Sequence, residues 1–295
     1  MISPADTGRF PAATSPVATS TVALPTLDAL RKLVYDSAAI VLEREKAYLL
    51  EARLAPVLRE EGLPSLDALV ARMQGFAGGP LRQRIVEAMT TNETSFFRDI
   101  HPFTALRETI IPQILESNRA TRSLDIWCGA SSTGQEPYSI AMLLREHFPA
   151  LRQWRVRILA TDYTSDVLNR ARSGRFSQIE VNRGLPTPLL LKYFRQEGIE
   201  WALKDEIREM VEFQRMNLIE RWPVLPRMDV VFLRNVLIYF DARTKAAILP
   251  RIHRTLRPSG YLFLGAVESV LNIAPGFVEH QAGRTLYYRT VSTGV

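Results

Sequence analysis

The residues best able to do chemistry fall in four short segments. The first, Gly129-Ala-Ser-Ser-Thr-Gly134-Gln-Glu136, follows an apolar run and opens a helical pattern. A glycine-bearing turn lets backbone approach a ligand closely. A phosphate-cradling loop would carry Lys and then Ser or Thr after its second glycine, but Gln135 and Glu136 stand there. A carboxylate in the first helical turn occupies the positive end of the helix and would repel phosphate. The dinucleotide fingerprint is met at its first and third glycines by Gly129 and Gly134, while Ser131 fills the middle position, the one that admits a pyrophosphate. The expected ligand is nucleotide-like without phosphates. S-adenosylmethionine fits, with adenosine, a cationic sulfonium and an amino-acid tail whose ammonium Glu136 could hold. Taken alone, Glu136 reads first as a helix-dipole carboxylate.

Asp162 ends a second strand-like run and could accept hydrogen bonds from both ribose hydroxyls, or be an ordinary turn residue. Arg234-Asn-Val-Leu-Ile-Tyr-Phe-Asp241 follows a third apolar run, which would put Arg234 and Asn235 at the ligand crevice, with Tyr239 and Phe240 as walls and Asp241 as a helix N-cap. Thr90-Thr-Asn-Glu-Thr-Ser-Phe96-Phe97-Arg98-Asp99 reads either as a plug over a pocket or as packing between two parts of the chain. The four histidines, at 101, 147, 253 and 280, lack metal-ligand spacing. The one cysteine, Cys128, excludes an internal disulfide framework, and no G-x-S-x-G elbow occurs.

These segments need an α/β scaffold. Strands are expected at Ser123–Trp127, near Val156–Asp162, at Met228–Leu233 and at Gly260–Leu264, with helices over 135–147 and 242–257 between them. Such alternation argues for a mostly parallel sheet covered on both faces, with ligands beyond the carboxyl ends of its strands. Thr285–Arg289 reads as an edge strand. Ahead of this, apolar stripes (Leu27, Leu30, Val34, Ala38, Val41; Leu49, Leu50, Leu54, Val57, Leu58; Leu66, Leu69, Val70, Met73) mark a helical domain over 24–90. Lys46 and Arg53, seven apart, would share one helix face that could dock an acidic helix or simply be solvated. Residues 1–23, rich in Ala, Thr, Ser and Pro, read as a disordered tail without a secretory signal. In a chain of 295 residues with 46% hydrophobic side chains no run approaches a membrane span, so a cytoplasmic address is expected. The net charge of +6 leaves an acidic partner open.

Together the segments resemble the CheR family of chemoreceptor glutamate methyltransferases over roughly residues 25–290. The motifs are Asn92-x-Thr94-x-Phe96-Phe97-Arg98, Ser132-Thr-Gly-Gln-Glu136-Pro-Tyr-Ser139, Ala160-Thr-Asp162, Asn217-Leu218 and Arg234–Asp241. The resemblance implies a helical receptor-recognition domain (24–90), a linker that closes over the cofactor (91–119) and a class I, Rossmann-like methyltransferase domain (120–290) with a small β-subdomain within 175–215. It assigns Asn92, Thr94 and Arg98 to cofactor closure, Glu136 to the amino-acid part, Asp162 to the ribose, Asn217 and Leu218 to the adenine, and Arg234 and Asn235 to the lining. Arg98 and Tyr239 are tied to catalysis, and Lys46 and Arg53 to receptor docking. The implied partner is the cytoplasmic helices of chemoreceptors, met by a monomer without nucleic acid or membrane insertion. Some family members bind a C-terminal receptor pentapeptide through a glycine-rich loop of the β-subdomain. The corresponding stretch, Tyr193–Lys204, has only Gly198, so recognition without that pentapeptide is expected. A second departure is Gly265-Ala-Val-Glu268, where the family usually has a small or hydroxyl residue before the Glu.

The implied reaction moves a methyl group from sulfonium to a glutamate carboxylate. With a pKa near ~4.3 that carboxylate is already ionised at neutral pH, so no strong general base is needed. Rival readings are an RNA methyltransferase, a cofactor-sensing module without turnover, and a related enzyme serving a sensory pathway other than motility. The first lacks an interleaved aromatic and basic patch.

Overall fold

The computed structural model describes residues 22–75, 78–271 and 273–290. The tail expected over 1–23 lies outside the described residues except for Val22 and Ala23.

Four helices come first: α1 (Leu24–Ala38), α2 (Ala47–Glu61), α3 (Leu66–Gln74) and α4 (Gly79–Met89). Their apolar stripes meet in one core, in which Leu30, Leu54, Leu69 and Ile85 are fully buried. Ser65 caps α3 by accepting the Ala68 N–H at 3.2 Å, and Gly62 ends α2 in the left-handed conformation. The stripe of α1 stops short of expectation. Ala39 turns left-handed (φ 53°), and Val41 leaves the helical core to stand partly in solvent.

Next, α5 (His101–Ala105) runs through a stretch of π-helix, Leu106–Ile110, into α6 (Ile111–Ser117). The α/β part continues as β1 (Ser123–Gly129), α7 (Gln135–His147), β2 (Arg155–Asp162), α8 (Ser165–Ser173), β3 (Arg175–Ser177), α9 (Gln178–Asn182), α10 (Thr187–Tyr193), β4 (Phe194–Glu197), β5 (Glu200–Leu203), α11 (Asp205–Arg208), β6 (Val211–Arg215), β7 (Met228–Leu233), α12 (Ala242–Thr255), β8 (Leu256–Leu264), β9 (Phe277–Ala282) and β10 (Thr285–Thr290). Seven strands form one sheet in the order β6-β2-β1-β7-β8-β10-β9, parallel from β6 to β8 and closed by an antiparallel hairpin. Every residue of β1 and β7 is buried, as a central strand covered on both faces requires.

One local expectation changes and two open ones are narrowed. Thr285–Thr290 is not the edge, because β9 pairs along its outer side. Within 175–215, β3, β5 and β4 make a separate antiparallel sheet, but β6 joins β2 in the main sheet, so the insertion ends before Val211. Phe96 and Phe97 are packing residues, not a plug. Phe96 lies 5.0 Å from the Phe176 ring and 5.8 Å from that of Phe194, and Phe97 lies 5.2 Å from Phe103.

Charge is also placed at the amino ends of the strands. The buried Asp125 carboxylate is forked by Arg155 at 3.0 and 2.9 Å and met by Arg257 at 3.2 Å. Its N–H donates to Asp229 at 2.8 Å. This network faces away from the ligand edge and serves the sheet.

Candidate cofactor and catalytic site

At the carboxyl ends of β1, β2 and β7 lies a cleft of about 960 Å³, part of it open to solvent. Asn92, Thr94, Arg98, Glu136, Asp162, Asn217, Leu218, Arg234, Asn235 and Tyr239 all line it. Five separate stretches of sequence thus converge on one space.

The turn after β1 works differently from its motif. Gly129 and Gly134 do not bring backbone to a ligand. A Cβ on Gly129 would meet Leu233 at 2.8 Å, and one on Gly134 would meet Ala171, Tyr138 and Phe213 at 3.1–3.2 Å. Gly134 also sits at φ 92° as it caps α7, so both glycines serve packing and turning. The residues facing the cleft are Ala130, Ser131 and Ser132. Ser132 N–H donates to Asp162 Oδ2 at 2.9 Å, and Thr164 N–H to Oδ1 at 3.1 Å. Burial raises the Asp162 pKa, and those N–H groups oppose the rise. The carboxylate is thereby fixed in orientation at the end of β2.

Arg234 is the electrostatic hub. Its side chain is 2% exposed, and its Nη1 donates to Glu136 Oε2 at 2.7 Å. Nη2 reaches Asp99 Oδ2 at 2.7 Å and the Arg98 carbonyl at 3.0 Å. Burial raises the Glu136 pKa, with Arg234 acting against it. The next residue, Asn235, is left-handed (φ 58°), a strained conformation held by Glu268. That carboxylate accepts the N–H groups of Asn235 (2.8 Å), Ile238 (3.2 Å) and Gly265 (2.7 Å). Sequence reasoning gave Glu268 no role; its signal was an acid three residues beyond Gly265, the glycine that follows β8.

The walls come from elsewhere. The strap before α5 is tied down by Ser132 Oγ, which donates to the Asn92 carbonyl at 2.7 Å, and by an Arg183–Glu93 ion pair at 2.9 Å. The end of α1 supplies Ala38 and Ile40 to the cleft, a contribution with no signal in the sequence. It is held by Asn217 Nδ2, which donates to the Ser37 carbonyl at 2.8 Å, and by Val41 N–H, which donates to the Tyr239 carbonyl at 3.0 Å. The Asn217 amide, assigned to adenine by resemblance, is therefore committed to the α1 end, with Glu220 as a further acceptor at 3.0 Å.

The cleft suits a cationic, nucleoside-bearing ligand. Glu136 and Asp162 set two carboxylates in its wall. The buried Ser131 Oγ and Arg234 Nε have no hydrogen-bond partner among the described residues. Those residues include no cluster of acids, His and Cys able to hold a metal.

Lys46 and Arg53 lie outside the cleft. Lys46 stands in a 3-10 turn ahead of α2, paired with Glu43 at 2.7 Å. Arg53 points at the end of α4, donating to the Met89 carbonyl at 2.7 Å and Thr91 Oγ1 at 2.9 Å. Both are exposed in part, yet each already has a structural partner.

The chain is similar to known proteins over most of its length. The model described as CheR methyltransferase, SAM binding domain, matches residues 92–283, and that described as CheR methyltransferase, all-alpha domain, matches residues 25–90. Chemotaxis protein methyltransferase 1 of Pseudomonas aeruginosa is 42% identical over 263 residues, covering 88% of this chain and 95% of that protein. Chemotaxis protein methyltransferase Cher2 of Pseudomonas putida is 40% identical over the same shares. Among solved structures, the DhpI–SAH complex covers 64% of this chain and 76% of its own at 15% identity and TM-score 0.30. The RNA methyltransferase of Salinibacter ruber with S-adenosyl-L-homocysteine covers 64% and 94% at 14% identity and TM-score 0.33.

Proposed function

Since the chain belongs to the CheR methyltransferase family, we propose that it methylates glutamate side chains of chemoreceptors, giving glutamyl methyl esters in sensory adaptation. It is an S-adenosylmethionine-dependent methyltransferase of the chemotaxis type. The finer assignment rests above all on one observation. Arg98 and Tyr239 line the same cleft as Asp162 and Glu136, while no His, Lys or Cys is among the described residues lining it.

When bound, S-adenosylmethionine supplies an electrophilic methyl group on a cationic sulfonium. Glu136 and Asp162 hold its charged tail and ribose, while Ala38, Ile40 and Leu218 cover its flat base. An acceptor that is already an anion needs no base, which suits a cleft whose own carboxylates are engaged. What it needs is orientation and loss of water, and a well-aligned approach is worth up to ~7–11 kcal/mol. Arg98 is free to hold one acceptor oxygen, since among the described residues its guanidinium makes a single hydrogen bond, to the Glu93 carbonyl at 3.0 Å. The Tyr239 hydroxyl steers the other. A cation and an anion become two neutral groups, so the site orients the carboxylate without stabilising it strongly.

The test is transfer of labelled methyl to a purified cytoplasmic receptor fragment from the same cell, followed by mild alkali. Release of the label as methanol identifies a glutamyl ester, whereas alkali-stable label rejects carboxyl methylation.

Two further results are expected. Removing the receptor's last five residues should change the rate less than about twofold. The supporting feature is the β4–β5 hairpin, whose two-residue turn, Gly198-Ile199, offers little loop to seat a peptide. A tenfold loss would reject tether-independent recognition. The affinity for S-adenosylmethionine should fall as pH falls through a window above 4.5, the ordinary Glu value, because the raised Glu136 pKa lets protonation remove the anion that meets the ligand's ammonium. In Glu136→Gln that pH dependence should flatten; calorimetry across the window reads both.

A further inference from the structure

A second hollow, of about 630 Å³, continues the carboxyl edge of the sheet past the cofactor cleft. It lies beyond β8 and the start of β10, since Leu264 pairs with Leu233 and Tyr288 with Leu262. Arg234 lines both spaces, and Glu268, which fixes the Asn235 turn, lines the second. The Arg234 side chain, 2% exposed, stands as the partition between the two.

Its charges are unequal. Asp99 is spent on Arg234, and Glu268 on three backbone N–H groups. Arg284, on the turn between β9 and β10, is exposed and has no ion-pair or hydrogen-bond partner among the described residues. The rim is apolar. Leu286 lines the hollow at 48% exposure, and Val267, between the lining residues Ala266 and Glu268, is 82% exposed. Ile100 and Ile238 stand in solvent beside it, adjoining Asp99 and bonded to Glu268 respectively. A soluble chain seldom groups large apolar side chains around an unpaired cation unless something covers them.

Building on the glutamate-methylation reading, we propose that this hollow is the acceptor groove, seating an amphipathic acidic helix of the methylated protein, with Arg284 pairing a carboxylate near the accepting glutamate. The charge is complementary, the groove adjoins the cofactor cleft across the Arg234 side chain, and the apolar rim matches a helix that also presents aliphatic side chains. Arg284 and Val267 then set acceptor specificity and take no part in cofactor binding.

The test compares wild type, Arg284→Glu and Val267→Asp on a purified cytoplasmic receptor fragment at saturating S-adenosylmethionine. Expected is a KM for the fragment raised roughly tenfold in each variant, with kcat and the calorimetric affinity for S-adenosylhomocysteine within twofold of wild type. Both side chains are exposed, so the affinity also reports that each variant is folded. If wild type gives methanol-yielding label and both variants keep its KM, the groove assignment falls and the function stands. If wild type gives no such label, the glutamate reading falls and the groove with it. If Val267→Asp changes only the sedimentation mass, the face joins two copies of the chain and the proposal is overturned.

Discussion

Replacing Arg234 with Met should cost about 3–5 kcal/mol of stability, because it strands the Glu136 carboxylate in a buried wall without its cation. For a folded unit of this size that is a fall of about 10 °C in Tm. Binding of S-adenosylhomocysteine should be lost as well, since Arg234 also anchors the strap through the Arg98 carbonyl and Asp99. The double variant Arg234→Met, Glu136→Gln separates the causes. With no buried anion left over, it should regain part of the stability and little of the affinity. Thermal unfolding and calorimetry on the two variants check this. A Tm within about 2 °C of wild type for the single variant would show that Arg234 is not the hub its geometry indicates.

Arg98→Ala and Tyr239→Phe should each lower kcat roughly 100-fold, the scale of removing one well-placed donor. Neither should shift S-adenosylhomocysteine affinity more than a few-fold, because the carboxylates and the α1 wall remain. The two differ in a useful way. Arg98 also holds the Glu93 carbonyl and so helps keep the strap closed, so its variant should show the larger affinity change. The Tyr239 hydroxyl has no partner among the described residues, and its backbone is held independently by Val41, so Tyr239→Phe should act on kcat alone. A loss of affinity with unchanged kcat, in either variant, would remove that residue from the transfer step.

Much of the site was legible because its motifs sit where strands end. Asp162 closes β2, Arg234 follows β7, and the turn after β1 leads into α7. An apolar run ending in a polar residue already places that residue at the ligand edge. Function within a motif was harder to read. Gly129 and Gly134 looked like ligand-facing glycines, but the close approaches they permit are to Leu233, Ala171, Tyr138 and Phe213. The strands β6 and β9 went unseen because both lie at sheet edges, where outward polar residues such as Glu212, Gln214, Glu279 and Gln281 break up the apolar run. The α1 wall left no trace at all. Asn217 and Ser37 are 180 residues apart, and neither one's neighbours in sequence announce the other.

That wall bears on how the chain can be rebuilt. Ser37, Ala38, Ile40 and Val41 belong in sequence to the helical part, yet they finish the cofactor cleft and hold Tyr239. A chimera that exchanges the helices of two relatives at the boundary near residue 90 would transplant a piece of the cofactor cleft with them. The cleaner graft starts after Leu42 and exchanges α2 and α3 alone, leaving the host its own α1. The host then keeps every residue that lines its cofactor cleft from the α1 end, a division that the linear order of the chain conceals.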